Sequence, residues 1–418
     1  MIRNIPEVVE IRDKSKVSLI IGLVAILGII LVPVSTIMMK LNGVAAGLGH
    51  YADFSAYWMA AERWQHGASL YGSQDFGFIQ SHQIRHFWPY LYPPAPVLLF
   101  NIYQFVPFTV AGTLWGVTTS GIFWLALIIL LEEYVKMTWV RRLLLFPLVL
   151  FYQPIWYAFA LGQITPLLAG LVTLSAVAME RTHRGQGSFW VGVGVTIATF
   201  IKPTVAPSGA VLLPFRRRLV GAIVTGLFLV GIGVVFFGVS SHIEYIHVLM
   251  TSKTGQATSL LSINTYHAGW FEPFDILGLW SWIPRILLLV IVALLSLNRS
   301  NTISADRAAF AAGAALVPLT APEGYSLAFV FYVPAAVVLL AARLDWWPWI
   351  SVAIALSHWH AWTMYYLGQS GISTKIAVFL QPGLYAGFII LTGSLLILWR
   401  SQQKSLNLVK SNRRPYSR

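Results

Sequence analysis

The 418 residues are 57% hydrophobic and only 10% charged, with a mean hydropathy of +0.70, whereas soluble domains carry roughly 25% charged residues. That balance excludes a water-soluble globule, and 17 Trp, 24 Phe and 17 Tyr exclude a disordered chain. Zero Cys removes disulfides, thiolate-held metals and thiol catalysis, and the net charge of +13, which in a soluble protein would raise nucleic acid as a partner, calls here for a topological explanation instead.

The chain opens with Arg3, Arg12, Lys14 and Lys16, followed by an uncharged apolar run over 17–39. At about 1.5 Å per residue that run is long enough to span a bilayer. No small-residue cleavage site follows, so it reads as an uncleaved first helix with a cytoplasmic N-terminus. Further apolar spans fall at 111–131, 143–160, 164–179, 188–201, 203–214, 219–240, 276–297, 308–320, 324–342, 348–367 and 376–399, giving about twelve crossings by the length rule. The piece at 203–214 is too short for an ordinary crossing and holds Pro203 and Pro207, which predicts a broken or tilted segment packed inside protein.

With the N-terminus inside, the inner connections collect Lys136, Arg141 and Arg142, then Arg181 and Arg184, then Arg216, Arg217 and Arg218, then Arg299, Arg307 and Arg343, and finally the basic tail. Most of the 28 Lys and Arg therefore lie on one side, and the net charge is a signature of topology. The expected architecture is an all-α polytopic membrane protein in the plasma membrane, one domain over 1–418. Its parts are a first span at 17–39, an outer loop at 40–110 with an interfacial helix, core spans at 111–240, a second outer loop at 241–275, further spans at 276–399 and a basic cytoplasmic tail at 400–418. Long ordered loops usually carry function, so the outward face is the expected working surface.

In the first outer loop, Phe54, Tyr57, Trp58 and Ala61 recur at helical spacing with Ser55, Glu62 and Arg63 between them, the pattern of an amphipathic interfacial helix. Asp53 stands at its start, either as an N-cap or as a general base at the membrane surface. Trp88 to Pro96 is too rich in proline for a regular helix, and 97–106 is too short to cross, so it reads as interfacial or re-entrant. Gln163 sits in a tight turn between two buried spans, where its amide needs a specific partner, protein or ligand. Lys202 stands at the end of a span where the chain breaks, either snorkelling or offering a point charge to an anion such as a phosphate.

Glu323, in Ala321-Pro322-Glu323-Gly324-Tyr325, is an ionisable residue between apolar helices, either functional or a solvated turn residue. The stretch from Ser262 to His267 and Trp270 mixes polar and aromatic groups suited to sugar stacking or to interfacial anchoring. His82 and His86 have helical metal spacing but no acidic companion, and no Asp-x-Asp pair stands in the outer loops, so no metal is expected. His358 and His360 cannot share one helical face and are expected to satisfy polar partners inside the bundle. On this map Asp53, Gln163, Lys202, His267 and Glu323 fall on one side of the membrane. A carboxylate, an amide and a cation there suit group transfer from a lipid phosphate to a hydroxyl, while a transporter of an amphiphile or sugar lipid is the alternative.

The ordered set Asp53-Phe54, Tyr57-Trp58, Ala60-Ala61, Gly67, Leu70-Tyr71, Tyr92-Pro93-Pro94, Gly162-Gln163, Ile201-Lys202-Pro203, Arg216-Arg217-Arg218 and Ala321-Pro322 resembles the polyprenyl-phosphate-sugar-dependent glycosyltransferases of the GT-C superfamily, most closely glycosyltransferase family 87, which includes mycobacterial phosphatidylinositol-mannoside mannosyltransferases. The resemblance covers roughly residues 45–340. It implies an inverting transfer of a sugar, mannose above all, from a polyprenyl-phosphate donor to a hydroxyl of a lipid or glycan acceptor, among membrane lipids and without a cofactor. Asp53 would be the base, with Gln163 and Lys202 on the phosphate and Tyr57 in the substrate site. Where the family pattern has Ser-Pro, an aromatic and His, this chain has Ala321-Pro322-Glu323-Gly324-Tyr325, so Glu323, Tyr325 or His267 would take the place of the His. The family's Gly-Gln-x-Asn reads Gly162-Gln163-Ile164-Thr165 here.

Overall fold

A computed structural model describes residues 51–72, 90–182, 188–251, 282–321, 326–369 and 380–412. The first span at 17–39 and His82, His86, His267, Glu323 and Tyr325 lie outside the described residues. The described residues are mostly helical, with no strand among them. Three of their helical segments, Phe108–Glu132, Arg216–Thr251 and Pro382–Gln403, are long and apolar enough to cross a membrane. The twelve crossings of the sequence map are not all represented by such helices: the first span lies outside the described residues, and two of the apolar runs are divided. The run at 143–160 splits at Tyr152 into Trp139–Phe151 and Gln153–Leu161, with Pro154 in the first turn of the second piece. The run at 324–342 yields a short 3-10 turn, Ser326–Phe331, followed by Tyr332–Ala342.

Helix α1, Ala52–Gln65, is built from good helix formers such as Ala, Met, Glu and Arg. Every residue in it from Phe54 to Ala61 is buried, so its aromatic face is turned to protein, while Glu62 to Trp64 are half-buried and Gln65 is exposed at its end. Ser55, expected on a polar face, is satisfied internally by donating to Ala52 O at 2.6 Å. The aromatic side chains expected at 54, 57 and 58 meet protein: Tyr57 stacks on Phe100 at 4.4 Å and Phe54 on Trp115 at 6.2 Å. Helix α2, Val97–Asn101, and the 3-10 turn Ile102–Phe105 are the short non-crossing piece foreseen at 97–106.

The core then runs as a serpentine of α3 (Phe108–Glu132), α4 (Trp139–Phe151), α5 (Gln153–Leu161), α6 (Thr165–Thr182) and α7 (Ser188–Ile201). Pro203 ends α7 at the preceding residues, and Pro203–Leu212 continues as a 3-10 segment packed on α7 and on α10, Ile303–Thr320. This is the broken inner segment the two prolines predict. Helix α8, Arg216–Thr251, leaves its far end and lies along α7, with Gly192 against the backbone of Arg218 and Gly221 against Phe189. Helices α9 (Trp282–Leu297), α10, α11 (Tyr332–Ala342), α12 (Trp347–Gln369) and α13 (Pro382–Asn412) complete the bundle. Helix α13 extends through most of the stretch expected as a tail, whose Gln, Lys and Leu favour helix.

Several charges that the topology map places inside are fixed in one region, about the length of α6 away from Gln163. Arg218 and Arg299, both buried, donate to the two oxygens of buried Asp306, at 2.7 Å and 2.6 Å to Oδ1. Both also donate to the carbonyl of Val211 and lie over the Phe215 ring at 4.2 and 4.9 Å. Arg307 binds Glu180 with both arms, at 2.8 and 2.7 Å. The two histidines of α12 point to different neighbours, as their spacing predicts: His358 Nδ1 accepts from the Gln153 backbone and His360 Nδ1 from that of Gly383, each at 3.2 Å.

Candidate active site

Three chain breaks converge. Tyr51 precedes α1 in the left-handed conformation, φ 60° and ψ 35°, and its side chain makes no capping hydrogen bond. Asp53 is therefore in the first turn and is not the N-cap, which leaves its carboxyl available for other partners. The positive end of α1 still favours its ionised form. Gly162 terminates α5 at φ 68° and ψ 34°, and Gln163 N then donates back to Ala158 O at 2.7 Å. Lys202, extended at φ −136° and ψ 103° ahead of Pro203, is the third break.

Gln163 holds the group together. Its Oε1 accepts from the Tyr57 hydroxyl at 3.1 Å and from the Ile164 backbone at 3.0 Å. An amide whose oxygen is so occupied presents its NH2 elsewhere, and the Gln163 side chain acts to lower the pKa of the Asp53 carboxyl. The Tyr57 hydroxyl also pairs with that of Tyr92 at 2.9 Å. Tyr92, which the sequence shows only within the Tyr92-Pro93-Pro94 stretch of the family resemblance and with no role of its own, is thus a member of the site. Nothing in Tyr90-Leu91-Tyr92-Pro93-Pro94 itself signals a partner 35 residues away.

Burial pushes Asp53 up to about 6, against the opposing pull of the Lys202 charge and the Gln163 hydrogen bond. Asp53 and Lys202, each taken as a whole residue, are nonetheless only half-buried. Burial likewise drives the hydroxyls of Tyr57 and Tyr92 well above their ordinary value, so both are neutral donors at physiological pH. A carboxyl poised near neutrality, an amide fixed in one orientation and a cation are the parts for deprotonating a hydroxyl beside an anion. Of the residues the sequence singles out, the structure brings together Asp53, Tyr57, Gln163 and Lys202. No group of three or more metal-ligating side chains occurs among the described residues.

The sequence model of glycosyltransferase family 87 matches residues 90–322, more than half of the chain. The chain belongs to glycosyltransferase family 87. It is a membrane-associated glycosyltransferase with sugar donor and acceptor substrates. The matched region includes Tyr92, Gln163 and Lys202, while Asp53 and Tyr57 precede it. No curated protein and no solved structure matches the chain.

Proposed function

We propose that this family 87 enzyme is a GT-C-like inverting transferase that moves a sugar, mannose first among candidates, from a polyprenyl-phosphate donor to a hydroxyl of a lipid or lipid-linked glycan. The observation that carries the reading is the convergence on one place of the Asp53 carboxyl in the first turn of α1, the Lys202 cation and the Gln163 amide that Tyr57 holds by a hydrogen bond. Asp53 takes the proton of the acceptor hydroxyl as its oxygen attacks the anomeric carbon. The bond from that carbon to the phosphate oxygen breaks on the opposite face, and the polyprenyl phosphate leaves as the anion. Lys202 neutralises the charge gathering on that phosphate. Gln163, whose amide is engaged by Tyr57 and Asp53, serves chiefly to orient the base and reaches the phosphate only as a secondary contact. His267, Glu323 and Tyr325 complete the substrate contacts in this reading.

The active face is outward, with both termini cytoplasmic, because a flipped lipid-linked sugar is available there and nucleotide sugars are not. Incubating membranes that contain the enzyme with radiolabelled polyprenyl-phosphate mannose and, separately, with the nucleotide-linked sugar tests the donor class. Label should pass to lipid or glycan only from the polyprenyl donor. Direct transfer from the nucleotide sugar, with polyprenyl carriers extracted, would overturn the reading.

A further inference from the structure

Helix α8 breaks at Gly238, whose φ of 74° and ψ of 168° are far from helical and are open to glycine alone at little cost. Beyond the break, the arm from Val239 to Thr251 reaches the segment that follows α1. Glu244 Oε2 accepts from Ser69 at 2.7 Å and the rings of Tyr71 and Tyr245 stack at 6.2 Å, while just before the break Phe237 packs on Trp64 of α1 at 5.0 Å. The Tyr71 hydroxyl donates to Tyr92 O at 2.8 Å. From Tyr245 a continuous file of rings leads through Tyr71, Tyr90 and Tyr92 to Tyr57, with centroids 5.7, 5.6 and 5.1 Å apart over the last three steps. Tyr57 ends the file on Gln163, and so beside Asp53.

Two polar atoms on this arm are buried without a partner among the described residues: His242 Nε2 and the Tyr245 hydroxyl. His242 Nδ1 donates to Gly238 O at 3.0 Å, which leaves Nε2 of the neutral ring as an acceptor. Positions 242 and 245 share a helix face. The arm therefore holds an acceptor and a hydroxyl about one helical turn apart, the His242 ring edge lying against Gly233 with Ala95 nearby, and buried groups of this kind are ordinarily hydrogen-bonded. A sugar hydroxyl, which donates and accepts at once, matches the pair. An anion does not, because the Glu244 carboxylate stands beside it and the neighbouring cation Arg63 is engaged, donating to Leu70 O at 3.2 and 2.7 Å.

We propose that His242 and Tyr245 hydrogen-bond a neutral sugar ring of the acceptor, making the arm of α8 the acceptor subsite at the end of the tyrosine file away from the donor phosphate. The assignment rests on the transferase reading above and adds where the acceptor binds. Octyl α-mannoside, kept below its micelle concentration with octanol as the partition control, is titrated into the full-length enzyme in nanodiscs and followed by tryptophan fluorescence. Wild type should saturate, and Tyr245→Phe, which keeps the ring and removes one oxygen, should bind about 3- to 10-fold more weakly, as should His242→Leu. In transfer assays, Tyr245→Phe should raise the KM for this acceptor by the same factor with the donor KM unchanged. No saturable binding to wild type, or equal affinity in both variants, overturns the subsite. Saturable, variant-sensitive binding without transfer from any lipid-phosphate sugar would instead overturn the lipid-phosphate donor proposed above and leave the acceptor subsite standing.

Discussion

A Cβ placed on Gly162 would stand 2.5 Å from the Cβ of Phe54, so the turn between α5 and α6 is in contact with the first turn of α1. Phe54 follows Asp53 and Gln163 follows Gly162. The contact delivers the amide to the carboxyl, and Trp115 Nε1 fixes the same turn by donating to Gly162 O at 2.9 Å. Glycine is required here twice over, for its left-handed conformation and for the space.

Gly162→Ala should therefore disturb the site and the fold together. The left-handed conformation alone costs roughly 1–2 kcal/mol for a residue with a Cβ, and the collision with Phe54 adds to it. We expect a lower melting temperature in nanodiscs and at least a 10-fold loss of transfer. A variant with wild-type stability and activity would show that α1 and the turn need not touch.

The pKa of Asp53 makes a signed prediction about stability. Its carboxyl is near 6 in the fold against 3.8 ordinarily, so the folded state holds its proton over a range where the unfolded chain has lost it. Asp53 thus penalises the fold fully above pH 6, and the penalty disappears as pH falls through 6 towards 4. Asp53→Asn should melt about 1–3 °C higher than wild type at pH 7.5 and equal to it near pH 4. Calorimetry across that range checks the sign.

Lys202→Met should act on two readouts. Losing a charge-assisted contact should raise the donor KM about 10- to 100-fold. Removing the cation that holds Asp53 down should also move the acid limb of the rate profile to higher pH. An unchanged donor KM and an unmoved limb would return Lys202 to a snorkelling side chain.

Asp306→Asn tests the remote ion cluster. It leaves Arg218 and Arg299 buried without their counter-charge, a loss of about 3–5 kcal/mol by comparison with other broken buried pairs. Because both arginines also hold Val211, at the far end of the segment that begins after Lys202, poor folding should accompany any loss of activity. Measuring yield and melting temperature beside transfer separates this variant from Lys202→Met, which should fold normally.

Local features were legible in the sequence where short-range rules decide them. The periodicity of Phe54, Tyr57, Trp58 and Ala61 specified α1, and Pro203 with Pro207 specified the broken segment after α7. The role of Asp53 within α1 was less legible, because the N-cap position goes to Tyr51, whose ring rests on Gly112, some sixty residues along the chain. What α1 packs against was likewise non-local: a Ser, Tyr and Trp pattern reads alike at a lipid interface and in an aromatic core. Arg218 with Asp306, 88 residues apart, and Tyr57 with Tyr92 were hidden for the same reason. Arg216-Arg217-Arg218 reads as a run of solvated charge until the fold shows one of the three buried.

The most direct test of the central claim is transfer of labelled sugar from polyprenyl-phosphate mannose to membrane acceptors by wild type and Asp53→Asn at matched protein levels. Asn keeps the size of the side chain but cannot accept the acceptor's proton, so turnover should fall at least about 100-fold while donor binding persists. Wild-type turnover in Asp53→Asn would contradict the assignment of Asp53 as the base.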